Sequence, residues 1–217
     1  MTNNKKAAVQ GFDLSAYSAA VLGCGGLGTN IAVHLAGAGI GRLLLYDFDT
    51  VETRNLNRQF FYTPADVGKE KCVLLAKRLH AYAPDCAVQS VSKAVRGADD
   101  LAEAAGVDIL LIAADNIAAR RAAQSFCKAH ILPCVNGAIH GFFGTAYLYA
   151  PGKTPDLDAA GMLREPLSAT LSPSTTAGVI GALQAKLAID YLRGETSSAG
   201  VLLCYDGLEI QTLKIKE

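Results

Sequence analysis

At 217 residues the chain has the length of one ordinary domain, and 51% of its residues are hydrophobic, enough to bury a core. Lysine plus arginine total 20 and aspartate plus glutamate 20, a balance that gives no electrostatic reason to expect nucleic acid as the main partner. The most apolar run, Val107–Ala114, is far short of a membrane span, and no apolar core of signal-peptide length follows Lys5 and Lys6, so a cytoplasmic protein without a membrane segment is expected.

Taken in chain order, apolar runs of strand length alternate with longer stretches of helical period. Ala19–Gly23 is predicted as a strand and Gly26–Ala38 as a helix with Ile31, Leu35 and Ala38 on one face. Arg42–Asp47 is a continuous apolar run, the pattern of a strand covered on both sides. Val67–Ala83 is predicted helical, with Val67, Leu74, Leu75, Leu79 and Tyr82 in a stripe and Pro84 stopping it. A strand at Ala87–Ser92, a short helix at Asp99–Ala105, a strand at Val107–Ala113, a helix at Ile117–His130 and a strand at Leu132–Asn136 follow. This succession predicts an α/β fold, a Rossmann-like, mostly parallel sheet with helices on both faces and its ligand beyond the carboxyl ends of the strands. Further on, Gly141–Ala150, Gly200–Tyr205 and Leu208–Ile215 read as antiparallel strands, with Asp206-Gly207 a hairpin signal. Between them lie the long polar loop Pro151–Thr175 and a helix at Thr176–Leu192.

The sequence Gly23-Cys24-Gly25-Gly26-Leu27-Gly28 falls on the first strand-to-helix turn. There, glycines let the backbone approach a phosphate and a helix N-terminus offers free N–H groups. Asp47 ends the second strand, placed to accept ribose hydroxyls. To this point an NAD-dependent oxidoreductase fits equally well. The next stretch separates the two readings. Asn55 and Arg58 in TVETRNLNRQFF, Lys71 at a helix start and Asp115 at the end of a parallel strand can converge on one nucleotide. Two cations, an amide and a carboxylate near a phosphate chain exceed what hydride transfer needs. They suit breaking an α–β phosphate bond, with cations neutralising charge and a carboxylate holding Mg²⁺. Each group also has a plainer role: Arg58 could pair with Asp49 or Glu52, Lys71 could be a solvated helix residue, and Asp115 could cap the following helix.

GCGGLG, DFDTVETRNLNRQ, VGKEK and AADN, with GVIGALQAKLAIDYL and LLCYDG further on, strongly resemble the ThiF/MoeB/HesA adenylyltransferases, bacterial relatives of ubiquitin-activating enzymes. The resemblance covers nearly the whole chain. It implies a single adenylation domain over 1–217, with a nucleotide-binding half (1–136) and a carrier-binding half (137–217) whose crossover loop, 151–175, covers the carrier tail. It implies a glycine turn (Gly23, Gly25, Gly26, Gly28) and Asp47 binding ATP, Asn55 and Arg58 on the triphosphate, Lys71 on the phosphates and Asp115 on Mg²⁺. The implied partner is a small ubiquitin-like carrier whose C-terminal Gly-Gly carboxylate attacks the α-phosphate, giving a carrier acyl-adenylate and pyrophosphate. A homodimer is implied as well.

The chain departs from the family in three places. None of its six cysteines forms a C-x-x-C pair, so no structural zinc is expected. No cysteine lies between Cys134 and Cys204, where some relatives carry one near the position of Leu167, so adenylation alone is expected, with sulfur supplied by another protein. The first arginine is Arg42, so an N-terminal arginine reaching the partner's ATP has no counterpart beyond Lys5 or Lys6. Cys24 reads as a small residue that fits the turn and His140 as a turn histidine at the sheet edge. Phe60, Phe61, Phe142 and Phe143 are expected either in the core or as an association surface. The reading is a thiamine-pathway, ThiF-type sulfur-carrier adenylyltransferase. The rival readings are the molybdopterin-pathway MoeB type, a tRNA-base-adenylating relative and a non-catalytic carrier-binding scaffold.

Overall fold

The computed structural model describes residues 13–164 and 171–215; Lys5, Lys6 and Leu167 lie outside them. Eight strands form one sheet in the order β3-β2-β1-β4-β5-β6-β7-β8. Strands β1 (Ser18–Leu22), β2 (Arg42–Tyr46), β3 (Ala87–Val91), β4 (Ile109–Ile112) and β5 (Cys134–His140) are mutually parallel. The last three, β6 (Phe143–Tyr149), β7 (Val201–Tyr205) and β8 (Ile210–Lys214), continue it antiparallel. Helices α1 (Gly26–Gly37), α2 (Lys71–Tyr82), α3 (Ile117–His130) and α4 (Ser174–Leu192) cover the sheet.

The two-residue period of the strands divides the core. Val21, Leu43, Leu45, Leu111 and Val135 face α1, α2 and α4, whereas Leu22, Leu44, Tyr46, Ile112 and Cys134 face α3. That is why Arg42–Tyr46 reads as an unbroken apolar run. The chain leaves β1 toward β2 on one side and returns through β4 on the other, so the strand order reverses between β1 and β4. At such a point the loops beyond the carboxyl ends diverge and leave a crevice. Gln184 of α4 spans the adjacent strands, its Nε2 donating to the Ile112 carbonyl at 2.9 Å.

The second predicted helix starts four residues late. Val67 lies outside α2 and is exposed, as is Tyr82, and the buried stripe is Cys72, Leu75 and Leu79. The cause is a separate turn at Pro64–Asp66, closed by a Thr63–Asp66 capping box and followed by Gly68 at φ +86°. Strand β5 runs past Asn136 to His140, because β6 pairs with it from Cys134↔Tyr149 to His140↔Phe143. The last hairpin forms at Asp206, whose Oδ1 accepts the N–H groups of Leu208 and Glu209 and delays β8 to Ile210. The first part of the predicted loop packs against α3 instead of running free. Leu157, Met162 and Leu163 are buried, and the Arg121 guanidinium donates to the Leu163 carbonyl at 3.4 Å. Phe60, Phe142 and Phe143 are exposed and Phe61 is half-buried. Among the described residues no helix is long and apolar enough to cross a membrane.

Asp66 ties the loop that carries Asn55 and Arg58 to α2. Its Oδ2 accepts from Arg78 at 2.5 Å and from the Thr63 N–H and hydroxyl at 2.8 Å each. Arg78, and then Thr63, hold its carboxyl far below the usual carboxylate range. A depressed folded-state pKa stabilises above the unfolded value, and that contribution is lost as pH falls through the folded one. Asp66→Asn is therefore expected to melt below wild type at neutral pH. The gap should narrow as pH drops below about 4, the ordinary aspartate value. Thermal unfolding followed from pH 7 to pH 2 checks this; a gap independent of pH would remove the assigned role.

Candidate functional site

A cavity of about 440 Å³ opens at the carboxyl ends of the parallel strands. Gly23, Gly25 and Gly26 from the β1–α1 turn, Asp47 from the end of β2, and Arg58, Lys71 and Asp115 line one part of it. Beside it lies a polar annex of about 250 Å³, walled by Asn55, Arg58, Gln59, Lys71 and Asp115 among others. Arg58, Lys71 and Asp115 thus belong to both walls, and Asn55 to the annex.

The glycines act in two ways. Gly23 has φ +100° and a Cβ there would come within 2.8 Å of the Ala113 carbonyl oxygen, so β1 and β4 can close only around a glycine. Gly28 does not reach the cavity; it lies inside α1, where a Cβ would overlap the Gly23 carbonyl. Gly25 and Gly26 border the open space. The first turn of α1 has no side-chain cap and no acidic residue, leaving its N–H groups available to an anion.

Asp47 braces this turn. Its Oδ2 accepts the Cys24 N–H at 2.6 Å and its Oδ1 the Asp49 N–H at 2.8 Å. Burial nevertheless pushes its carboxyl above the ordinary value. Lys71 is 5% exposed and reaches Asp49 with Nζ–Oδ2 at 3.0 Å. A lysine at a helix start opposes the helix dipole and, buried, is costly to desolvate. Such an arrangement suits a place where a ligand brings further negative charge. Arg58 pairs with neither Asp49 nor Glu52, because Lys71 holds the first and Arg54 the second. Its guanidinium meets the Asn57 Oδ1 at 3.1 Å and the Arg54 carbonyl at 3.4 Å. Asn116, not Asp115, caps α3, its Oδ1 accepting the Ala119 N–H at 2.8 Å. Asp115 is left exposed on both walls. Cys24 is buried with its thiol pKa raised well above the ordinary value, chiefly by burial, which leaves little nucleophilic thiolate.

The annex has the donor chemistry of a magnesium–phosphate site. Asp115 offers a carboxylate, and the Asn55 Oδ1 is buried with no hydrogen-bond partner among the described residues. Mg²⁺ is ordinarily held by one or two carboxylates together with substrate phosphates and water. Among the described residues no group of three or more histidine, cysteine or acidic side chains is placed to hold a metal ion by itself; one carboxylate and one amide oxygen fit an ion carried by a nucleotide.

Several wall residues escape sequence reasoning. Gln59, 4% exposed, lines both spaces, its Oε1 without a partner among the described residues; its place directly after Arg58 is the signal that could have found it. Asp49, which holds Lys71, is the second acid of the DFD sequence. Arg120, Lys93 and Arg164 also line the cavity. Arg120 donates through Nε to the Ala114 carbonyl at 2.9 Å, and Lys93 pairs with Glu103 at 2.8 Å. His140, Phe143, Thr145 and Cys204 border the far part of the cavity, over the antiparallel strands.

Fold and site together define a nucleotide-binding α/β domain with its pocket at a strand-order reversal. Residues 8–217 match the ThiF family, and the chain belongs to it. It is 32% identical to the molybdopterin-synthase adenylyltransferase of Escherichia coli over 98% of this chain and 90% of that protein. To the sulfur carrier protein ThiS adenylyltransferase of the same organism it is 30% identical, over 88% and 78%. Among solved structures, E. coli MccB with AMPCPP and MccA superposes with a TM-score of 0.82 at 25% identity. That match covers 94% of this chain, which spans 65% of the MccB chain. Family and relatives make the chain an adenylyltransferase, an enzyme that uses ATP.

Proposed function

We propose that the chain adenylylates the C-terminal glycine carboxylate of a small ubiquitin-like sulfur carrier of the ThiS type. The single observation that carries this reading is the meeting of Arg58, Lys71 and Asp115 on the annex beside the glycine-lined cavity. A carboxylate is a weak nucleophile approaching a polyanion, so charge repulsion and positioning make up most of the barrier. In the proposed reaction a carboxylate oxygen bonds the α-phosphorus as the bond to pyrophosphate breaks, with no net proton transfer. Gly25, Gly26 and the start of α1 cradle the phosphates, Asp47 accepts the ribose hydroxyls, and Arg58 and Lys71 take up charge on the departing pyrophosphate. Asn55 is assigned to the triphosphate, and Asp115 would hold Mg²⁺, which when bound supplies further neutralisation at the phosphates. The nucleotide half is assigned to residues 1–136 and the carrier half to 137–217, whose crossover loop, 151–175, would cover the carrier tail. The exposed Phe60, Phe142 and Phe143 support association as a homodimer.

A second reading, a molybdopterin-type carrier, is favoured by the longer match to that relative, 98% of the chain against 88%. ATP–pyrophosphate exchange by the purified protein, with Mg²⁺ and each carrier in turn, tests both. Exchange with a ThiS-type carrier alone is the expected result. Exchange with the molybdopterin-type carrier alone moves the assignment to that pathway. No exchange with any carrier overturns the enzymatic reading in favour of a scaffold, and exchange driven by tRNA and lost steeply with salt would mark a nucleic-acid substrate.

A further inference from the structure

We infer that Arg164 captures the terminal carboxylate of the acceptor and aligns it on the α-phosphate; the inference rests on the function proposed above. Arg164 follows directly on the stretch that packs against α3, and its position is fixed from behind. Leu163 is 3% exposed, its carbonyl takes the Arg121 guanidinium, and Met162 and Leu157 are buried with it. The exposed Arg164 side chain lines the large cavity but not the polar annex.

The other cations on the cavity wall have tasks already. Arg58 and Lys71 wall the annex as well as the cavity and are assigned to the departing pyrophosphate, Lys93 is paired with Glu103, and Arg120 is buried against the Ala114 carbonyl. Arg164 makes no ion pair with a described residue. An acceptor carboxylate must enter beside Asp47, Asp115 and a triphosphate, all negative. Without a counter-charge on its own side of the cavity it would be repelled from the position it has to reach. A guanidinium suits the task, since its planar fork can hold one carboxylate oxygen while the other turns toward phosphorus.

This assignment fixes the kinetic signature. The negative charge of the carboxylate disappears as the acyl-phosphate bond forms, so Arg164 grips the ground state at least as well as the transition state. Its loss then raises KM for the carrier and leaves kcat little changed. Arg164→Ala is expected to raise the carrier KM about 10- to 100-fold, the usual worth of a hydrogen bond to a charged group. The KM for ATP should stay within about twofold, and Arg164→Lys should recover part of the loss.

A binding measurement gives a readout independent of turnover. Calorimetry with a ThiS-type carrier ending in Gly-Gly carboxylate, and with the same carrier ending in carboxamide, should show wild type preferring the carboxylate. Arg164→Ala should bind both alike, while calorimetry with ATP confirms that the variant is folded. If wild type exchanges pyrophosphate but Arg164→Ala keeps the preference for carboxylate and the wild-type carrier KM, this inference fails alone. A rise in the KM for ATP with the carrier KM unchanged also overturns it, by moving Arg164 to the phosphates. If wild type exchanges with no carrier, the proposed function fails and this inference fails with it.

Discussion

Arg58→Ala and Asp115→Ala are each expected to lower carrier-dependent pyrophosphate exchange by about 10²–10³-fold, the effect of removing one preorganised transition-state contact, about 3–4 kcal/mol. Both side chains border the cavity and the annex, and neither belongs to the core: Arg58 is half-buried and Asp115 exposed. Asp115 does not cap α3, since Asn116 does. Among the described residues Arg58 donates to two local oxygens, one at 3.4 Å. Thermal unfolding of both variants should therefore stay within a few degrees of wild type, which separates a catalytic deficit from a folding one. Lys71→Ala is a poorer test, because it strips a buried cation from Asp49 and changes stability and charge together. The double variant Arg58→Ala/Asp115→Ala should lose less than the product of the two single losses, as groups acting on one phosphate chain do. Exchange at saturating carrier and ATP is the measurement; a rate near wild type in either single variant would remove that residue from the mechanism.

The alternation of strand and helix was legible because burial on both faces leaves a continuous apolar run, as in Arg42–Tyr46, and α3 spans Ile117–His130 as expected. Misplaced boundaries fall where a local hydrogen bond outweighs periodicity. The Thr63–Asp66 box took Val67 out of α2, and the Asp206 turn shortened β8. In the site, the positions of Arg58, Lys71 and Asp115 relative to the nucleotide turn could be anticipated because each follows the carboxyl end of a parallel strand or begins the next helix. Arg164 could not be. It comes to the cavity through a long segment whose path depends on Leu157, Met162 and Leu163 packing onto α3, and no short-range pattern encodes that contact. The partners within the site were hidden for a related reason. Whether Arg58 or Lys71 takes Asp49 depends on where a loop and a helix start meet in space, and sequence spacing leaves both possible.

The four glycines of the first turn look alike in sequence, yet two of them should fail in opposite ways. A Cβ at Gly28 would overlap the Gly23 carbonyl oxygen. That oxygen is backbone at the end of β1, and it is held in place: the Gly23 N–H donates to the Tyr46 carbonyl at 2.8 Å and the next N–H, of Cys24, to Asp47 at 2.6 Å. Nothing there can swing aside as a side chain would, so Gly28→Ala has to push α1 off the sheet. A cost of about 3 kcal/mol is expected, the upper end of ordinary overpacking. For a chain of this size that is a Tm fall of roughly 6–12 °C. At Gly25 the φ is −84°, outside the left-handed region, and the nearest atom to an added Cβ is the Gln59 Nε2 at 3.3 Å, the movable end of a side chain. Gly25→Ala should keep its Tm within a few degrees while a methyl group intrudes on the cavity wall, weakening ATP binding measured by calorimetry. Gly28→Ala should lose Tm first, and ATP binding measured well below its melting point should fall only as far as the turn is displaced. If the two variants show the same ratio of lost stability to lost ATP affinity, the division between packing and ligand glycines is wrong. The α1 N-terminus would then have to be regarded as one unit in which each glycine serves both ends.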